Sequence, residues 1–153
     1  MTIPCEPIGV VRGGRQDFTD DHWSGLRATI ELEGNRFSAE ALSGLQAFSH
    51  VVVIYHFHKV DPATIETKRR HPRGNVAWPS VGIFSQRGKA RPNRIGVSTC
   101  RIVSIDGLRL SVEGLDAIDG SPVLDLKPYM TGFAPRGEIR EPDWARSIMQ
   151  NYW

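Results

Sequence analysis

A mainly β domain, a barrel or otherwise closed sheet, is the fold class this sequence predicts, and three observations carry it. Apolar and polar residues alternate at period two in several short runs. Two such runs flank Asp106-Gly107, a dipeptide that closes hairpins. Glycine and proline, 15 and 10 of 153 residues, interrupt the chain too often for long helices. A chain of this length fits one domain around one core, residues 1–153 together.

The elements follow in order. Ile8-Gly-Val-Val11 reads as a first strand, and Asp20 to Gly25 is polar and turn-like. Ala28 to Glu33 alternates as a half-buried strand does. Ser38 is placed to cap a short helix over 39–47, with Glu40 in its positive first turn. Val51 to Phe57 is apolar on both faces except for His56, which predicts a central strand covered on both sides. Cys100–Ile105 and Leu108–Val112 form the hairpin, with Ile105 expected opposite Leu108 and Val103 opposite Leu110. Leu115 to Pro122 reads as a loop and Val123–Leu126 as a short strand ending at Lys127-Pro128. Pro142 and Asp143 suit the first turn of a C-terminal helix whose apolar face is Trp144, Ile148, Met149 and Tyr152.

Charge is distributed unevenly. Lys68 to Arg94 holds eight of the nineteen basic residues and none of the seventeen acidic ones, so this segment is +8 and the rest, eleven against seventeen, is −6. Like charges crowded in a compact state repel one another, and a phosphate-rich partner relieves them. The alternative is a solvated basic loop. Elsewhere the composition is that of a soluble globular chain, with 24% charged residues. No apolar run approaches the roughly 20 residues of a membrane span, and the N-terminus lacks a signal-peptide pattern. A cytoplasmic protein with no membrane association is expected, its Cys5 and Cys100 reduced.

Several chemistry motifs fail. Gly82 to Ala90 approaches a phosphate-binding loop but has five residues between its glycines and Ala90 where a hydroxyl should bind magnesium. No glycine-rich dinucleotide fingerprint follows a strand. His56 and His58 share one strand face without a third ligand at diagnostic spacing, so no metal is assigned. Cys100 in an apolar strand reads as core. Two segments are left over: Arg87-Gly-Lys-Ala-Arg91-Pro-Asn-Arg-Ile-Gly96, and Leu115 to Tyr129, in which Asp125 and Lys127 flank a leucine and share a strand face. A structural ion pair is the plain reading of that couple; a reacting centre is the functional one.

At these residues the chain resembles the TrmO, or TsaA-like, methyltransferase family. The matching pieces are Pro7–Arg12, Leu45–Val51, Phe57-His58, Val81–Phe84, Arg87, Arg91-Pro-Asn93, Ile95-Gly96 and Asp119-Gly-Ser-Pro-Val-Leu-Asp-Leu-Lys-Pro-Tyr129. The resemblance implies a single-sheeted β-barrel that binds S-adenosylmethionine, with active sites near a homodimer interface. It implies action on the anticodon region of transfer RNA, as N6-methylation of threonylcarbamoyl-adenosine at position 37. Carried over by residue, the cofactor site would draw on His58, Lys59, Arg87, Val97, Asp119, Gly120, Ser121, Pro122 and Val123, with Trp23, Ser24 and Gly25 as an approximate match. Longer relatives have a further C-terminal domain that is expected to be absent here.

Beyond the family outline, Asp125 is read as the acceptor of the N6 proton, with Lys127 tuning it and Tyr129 orienting the base or the adenine. Lys68, Arg69, Arg70, Arg73, Lys89, Arg91 and Arg94 would hold RNA phosphates, with Trp78 or His71 stacking on an unpaired base. Gln86, Arg94 and Arg101 depart from the family pattern. Three rivals remain: an enzyme of the same fold that methylates a small molecule or another nucleotide, a non-catalytic RNA-binding module, and a purely structural β-barrel interaction domain that binds no cofactor.

Overall fold

Strands in the computed structural model, which describes all of Met1–Trp153, close into one antiparallel barrel. They are β1 (Gly9–Arg12), β2 (Arg27–Leu32), β3 (His50–His56), β4 (Arg69–Arg70), β5 (Val81–Gly82), β6 (Ile95–Asp106), β7 (Arg109–Glu113) and β8 (Pro122–Pro128). The barrel order is β1-β2-β7-β6-β3-β8, and β8 returns to β1 through Gly9↔Val123 and Val10↔Pro122. β4 and β5 pair only with each other, in an excursion between β3 and β6. The mainly β class, the closed barrel and the short helices are therefore as the sequence predicts.

Period-two alternation builds the core. Val51, Val53 and Tyr55 on β3, Ser98 and Cys100 on β6, and Leu110 and Val112 on β7 point inward and are buried. Val11, Ile30 and Val123 join them from β1, β2 and β8. Full burial of an aliphatic side chain contributes roughly 1.5–3 kcal/mol, so this inner layer holds the barrel together. Cys100 belongs to it, as expected, and burial with the nearby Asp116 charge pushes its thiol up to about 12.

β8 carries a bulge that decides where its charges go. Val123 and Leu126 both face the core, although three residues apart, because Tyr55 pairs with Val123 while Ile54 pairs with Asp125. The extra residue, Leu124, shifts the alternation by one. Asp125 and Lys127 consequently lie on the outer face, opposite Ile54 and Val52.

Four expectations need correction. The hairpin pairs Ile105 with Leu110 and Asp106 with Arg109, so Gly107-Leu108 is the turn. Gly107, at φ +58°, occupies the first turn position, where a II′ geometry requires a positive φ, and a bulge near Val103 absorbs the offset. Residues 39–47 form two 3₁₀ turns, Ala39–Leu42 and Leu45–Ala47, because Gly44 at φ +87° interrupts them; Ser38 makes no side-chain cap. β3 is covered on one face only, its outer residues Val52 and Ile54 being half-buried, because no second layer of this chain packs there. The C-terminal helix, α1 (Asp143–Met149), stops before Tyr152 and buries none of its residues; Tyr152 reaches the barrel from the tail beyond it.

Candidate functional site

One end of the barrel gathers most of the predicted cofactor residues. The 13–23 loop, the end of β3 and the turn into β8 meet there. Asp119 donates its N–H to Arg15 O at 2.7 Å and accepts Gly13 N–H on Oδ1 at 2.8 Å, while Gly120 N–H reaches Val11 O at 2.8 Å. Arg15 in turn lays its guanidinium 4.4 Å from the centre of the Trp23 ring. Lys59 Nζ bonds Gln16 O at 2.8 Å. Gly120 is required by its φ of +80°, and its Cα faces the His58 ring, so a Cβ there would meet Nε2 at 3.4 Å, an ordinary contact. Trp23, His58, Lys59 and Asp119 to Val123 are thus brought together.

Two buried polar atoms at this end have no protein partner: Trp23 Nε1 and His58 Nδ1. A buried, unsatisfied donor or acceptor costs about 1–3 kcal/mol, and a bound polar ligand removes that cost. Phe57 lies beside them, edge-on to Tyr55 at 5.2 Å and to Phe18 at 6.2 Å. An aromatic wall, two unpaired nitrogens and the Asp119 carboxylate fit a cationic nucleoside such as S-adenosylmethionine. His58 is held below its ordinary value chiefly by burial and then by Lys59, with Asp119 opposing; burial, Arg94 and His58 lower His56 in the same way. Both rings are therefore neutral at pH 7.

Beneath this end lies a polar cluster that the sequence reading missed. Asp116 accepts from Tyr55 Oη at 2.8 Å, from Ser98 Oγ and from Tyr152 Oη. Desolvation and then the Asp116 charge push both tyrosine hydroxyls well above their ordinary range, so both remain donors. Gly96 makes room: a Cβ there would sit 2.4 Å from Tyr55 Cζ. The C-terminal tail is tied in by His22 N–H to Asn151 O at 2.9 Å and Trp23 N–H to Tyr152 O at 2.8 Å. Asp116 stood among carboxylates already visible in the 115–129 segment, but its partners lie up to 61 residues away, and periodicity carries no signal for that pairing.

The remaining predicted residues lie elsewhere. Arg87 Nη2 bonds Val97 O at 3.1 Å, and Val97 is on the outer face, opposite Ile54. Asp125 is the other neighbour of Ile54, so the row Asp125, Ile54, Val97 spans about 10 Å of outer sheet. Lys127 Nζ grips Asp125 Oδ2 at 2.8 Å, both half in solvent, and Asp125 Oδ1 accepts Leu126 N–H. Tyr129 lies beside His50 at the far end of β8 and is separated from Asp119 by the length of that strand. Ser24 and Gly25 line a different cleft, with His50, Thr99, Arg101, Glu113, Gly114 and Trp153. Within one chain, then, the predicted reacting trio and the predicted cofactor residues do not form a single cavity.

The basic excursion is sorted by its bonds. Arg73 pairs with Asp21 at 2.9 Å, and it is the only one of the eight cations in a salt bridge. Arg91 donates to Gln86 O at 3.0 Å and Arg94 to Val60 O at 3.1 Å, so both brace the loop. Lys89 sits 5.3 Å from the Phe18 ring centre, and Arg70 is half-buried, with its Nε unpartnered. Lys68 and Arg69 are exposed, Arg69 bonding Ser80 O. Gln86, a departure from the family pattern, has a structural role: its buried amide donates to Arg70 O at 3.1 Å and Val81 O at 2.9 Å.

The tRNA-methyltransferase O N-terminal domain model matches residues 19–134. A probable S-adenosyl-L-methionine-binding protein of Methanothermobacter thermautotrophicus is 38% identical over 131 residues, 84% of this chain and 91% of that protein. The mouse tRNA (adenine(37)-N6)-methyltransferase is 38% identical over 109 residues, 70% of this chain. This chain spans about a quarter of the mouse and human enzymes, 25% and 26% of their lengths. A crystal structure of TrmO from Pseudomonas aeruginosa superposes with a TM-score of 0.73 at 32% identity, covering 92% of this chain and 61% of that one. The barrel, the order of its motifs and these matches place the chain in the TrmO family.

Proposed function

We propose that the protein is an S-adenosylmethionine-dependent methyltransferase that methylates N6 of adenosine 37 in transfer RNA, in its threonylcarbamoyl form. The observation that carries this reading is the barrel end where Trp23 Nε1 and His58 Nδ1 are buried without partners beside Asp119 and an aromatic wall. Bound there, S-adenosylmethionine supplies an electrophilic methyl group on a sulfonium that departs as a neutral thioether with the bonding pair.

The chain's own residues do the rest. Trp23, His58 and the Asp119–Val123 turn bind and orient, and correct placement alone supplies on the order of 7–11 kcal/mol in favourable cases. As the N6 lone pair forms the new N–C bond, the N6 proton leaves to an acceptor, and Asp125, oriented by Lys127 and Leu126 N–H, is assigned that role. Tyr129 orients the base or the adenine. Lys68, Arg69, Arg70 and Lys89 carry the charge left for RNA phosphates.

A homodimer reconciles the separated residues. The outer face around Ile54 and Val97 is apolar, with Ile95 40% and Val97 43% exposed, and it adjoins Asp125. A two-fold contact through that face would set the Asp125 row of one protomer against the same face of its partner, where Val97 and the Arg87 contact lie. The test is incubation with labelled S-adenosylmethionine and cellular transfer RNA, followed by nucleoside mass analysis. Label in a methylated threonylcarbamoyl-adenosine supports the assignment; cofactor binding with label in a different nucleoside or a small molecule transfers it to the same-fold rival.

A further inference from the structure

We propose that Phe84 is a stacking platform for an unpaired nucleobase at the edge of the basic excursion, an inference that rests on the RNA reading above. Phe84 is 78% exposed, so its ring contributes little to the core, yet its mount is rigid. It sits in the 3₁₀ turn Ile83–Ser85, between two buried anchors, Ile83 at 1% and Gln86 at 7% exposure. Ile83 N–H bonds Lys68 O at 3.0 Å, Gln86 N–H bonds Ile83 O at 3.1 Å, and the Gln86 amide clamps β4 to β5. The turn presents a large apolar ring to solvent from an anchored backbone.

Its setting selects the occupant. β4 pairs Arg69 with Gly82, the Lys68 carbonyl accepts the Ile83 N–H, and Arg87 follows Phe84 by three residues, so cations flank the ring in the chain and across the hairpin. No acidic residue lies anywhere in Lys68–Arg94. An aromatic ring on a segment whose flanking cations Lys68, Arg69 and Arg87 form no salt bridge suits a nucleobase and its phosphates, whereas an apolar protein partner would leave those cations desolvated. Of the sequence's own stacking candidates, His71 is engaged otherwise, its Nδ1 2.6 Å from Trp78 O, and His71 and Trp78 are both half-buried residues, less exposed than Phe84.

The test measures fluorescence-anisotropy affinities of the full chain for a transfer RNA anticodon stem-loop hairpin and for a fully paired RNA duplex of equal length. Phe84→Ala is expected to weaken hairpin binding by roughly tenfold, with duplex binding unchanged. Phe84→Trp restores the hairpin, and Phe133→Ala, which removes a ring 85% exposed but outside the basic segment, changes neither. Undiminished hairpin binding by Phe84→Ala, or an equal loss on both RNAs, overturns the proposal. A change in sedimenting mass assigns Phe84 to a contact between copies of the chain and also overturns it. If the parent protein binds neither RNA, the RNA reading itself fails, which is distinguishable from a failure of Phe84 alone.

Discussion

Substituting Gly96 by Ala tests the packing on which the site rests. A Cβ at Gly96 would lie 2.4 Å from Tyr55 Cζ, 2.6 Å from Cε2 and 2.8 Å from Oη. Tyr55 is 1% exposed and cannot retreat without losing its 2.8 Å bond to Asp116. Overpacking a well-filled core costs about 1–3 kcal/mol, and a lost hydrogen bond to an ionised carboxylate a further 1.5–3 kcal/mol or so. The sum, about 2.5–6 kcal/mol, lowers Tm by on the order of 10 °C for a chain of this length. Thermal melts followed by circular dichroism read it. Gly34→Ala is the control, because its Cβ would meet only Leu108 Cδ1, at an ordinary 3.6 Å. Gly96→Ala melting within a degree or two of the parent would refute the reasoning.

Three other outcomes are expected. Tyr152→Phe removes one donor from Asp116 and costs about 1–2 kcal/mol, with faster amide exchange confined first to residues 150–153; exchange unchanged there would contradict a role for the Tyr152–Asp116 bond in holding the C-terminal tail. His56 and His58 have folded values below the unfolded 6.5, so the unfolded chain binds more protons in that window; their stability contribution is present above pH 6.5 and is lost as pH falls through the folded values. Urea melts between pH 7.5 and 5.5 should show it, and a rise in stability on acidification would contradict it. Lys68→Ala and Arg69→Ala should each lower the slope of log affinity for RNA against log salt by about one, roughly equally for all sequences; unchanged slopes would remove both from the phosphate contacts.

Much of the barrel was legible because one-sided burial writes itself into a strand as alternation, as Ala28, Ile30 and Leu32 alternate with Thr29 and Glu31 on β2; β3, apolar at successive positions, hid its one-sided burial. Asp119-Gly120 was legible as a turn, since Gly120 has the positive φ that such a turn needs. Registers were less so. A single bulge residue, Leu124, turns Asp125 outward, and nothing local in the sequence marks it. The 39–47 helix was misread because Ser38 and Glu40 are residues that suit a helix start, while Gly44 breaks the segment into separate turns. The Asp116 cluster was invisible because its donors come from β3, β6 and the C-terminal tail, and only closure of the barrel brings them together. The charge of Lys68–Arg94 was obvious as a sum, but its division into bracing and free cations depended on carbonyls of distant residues such as Val60.

The central claim is transfer of a methyl group to one nitrogen of one nucleoside, and it is tested most directly on three defined anticodon stem-loops. One carries threonylcarbamoyl-adenosine at position 37, one adenosine and one guanosine, each incubated with S-adenosylmethionine labelled in the methyl group. The account predicts label on N6 of the threonylcarbamoyl-adenosine hairpin, none on the guanosine hairpin, and loss of transfer in Asp125→Asn with cofactor binding retained. Equal labelling of all three hairpins, or transfer by Asp125→Asn at the parent rate, would contradict it.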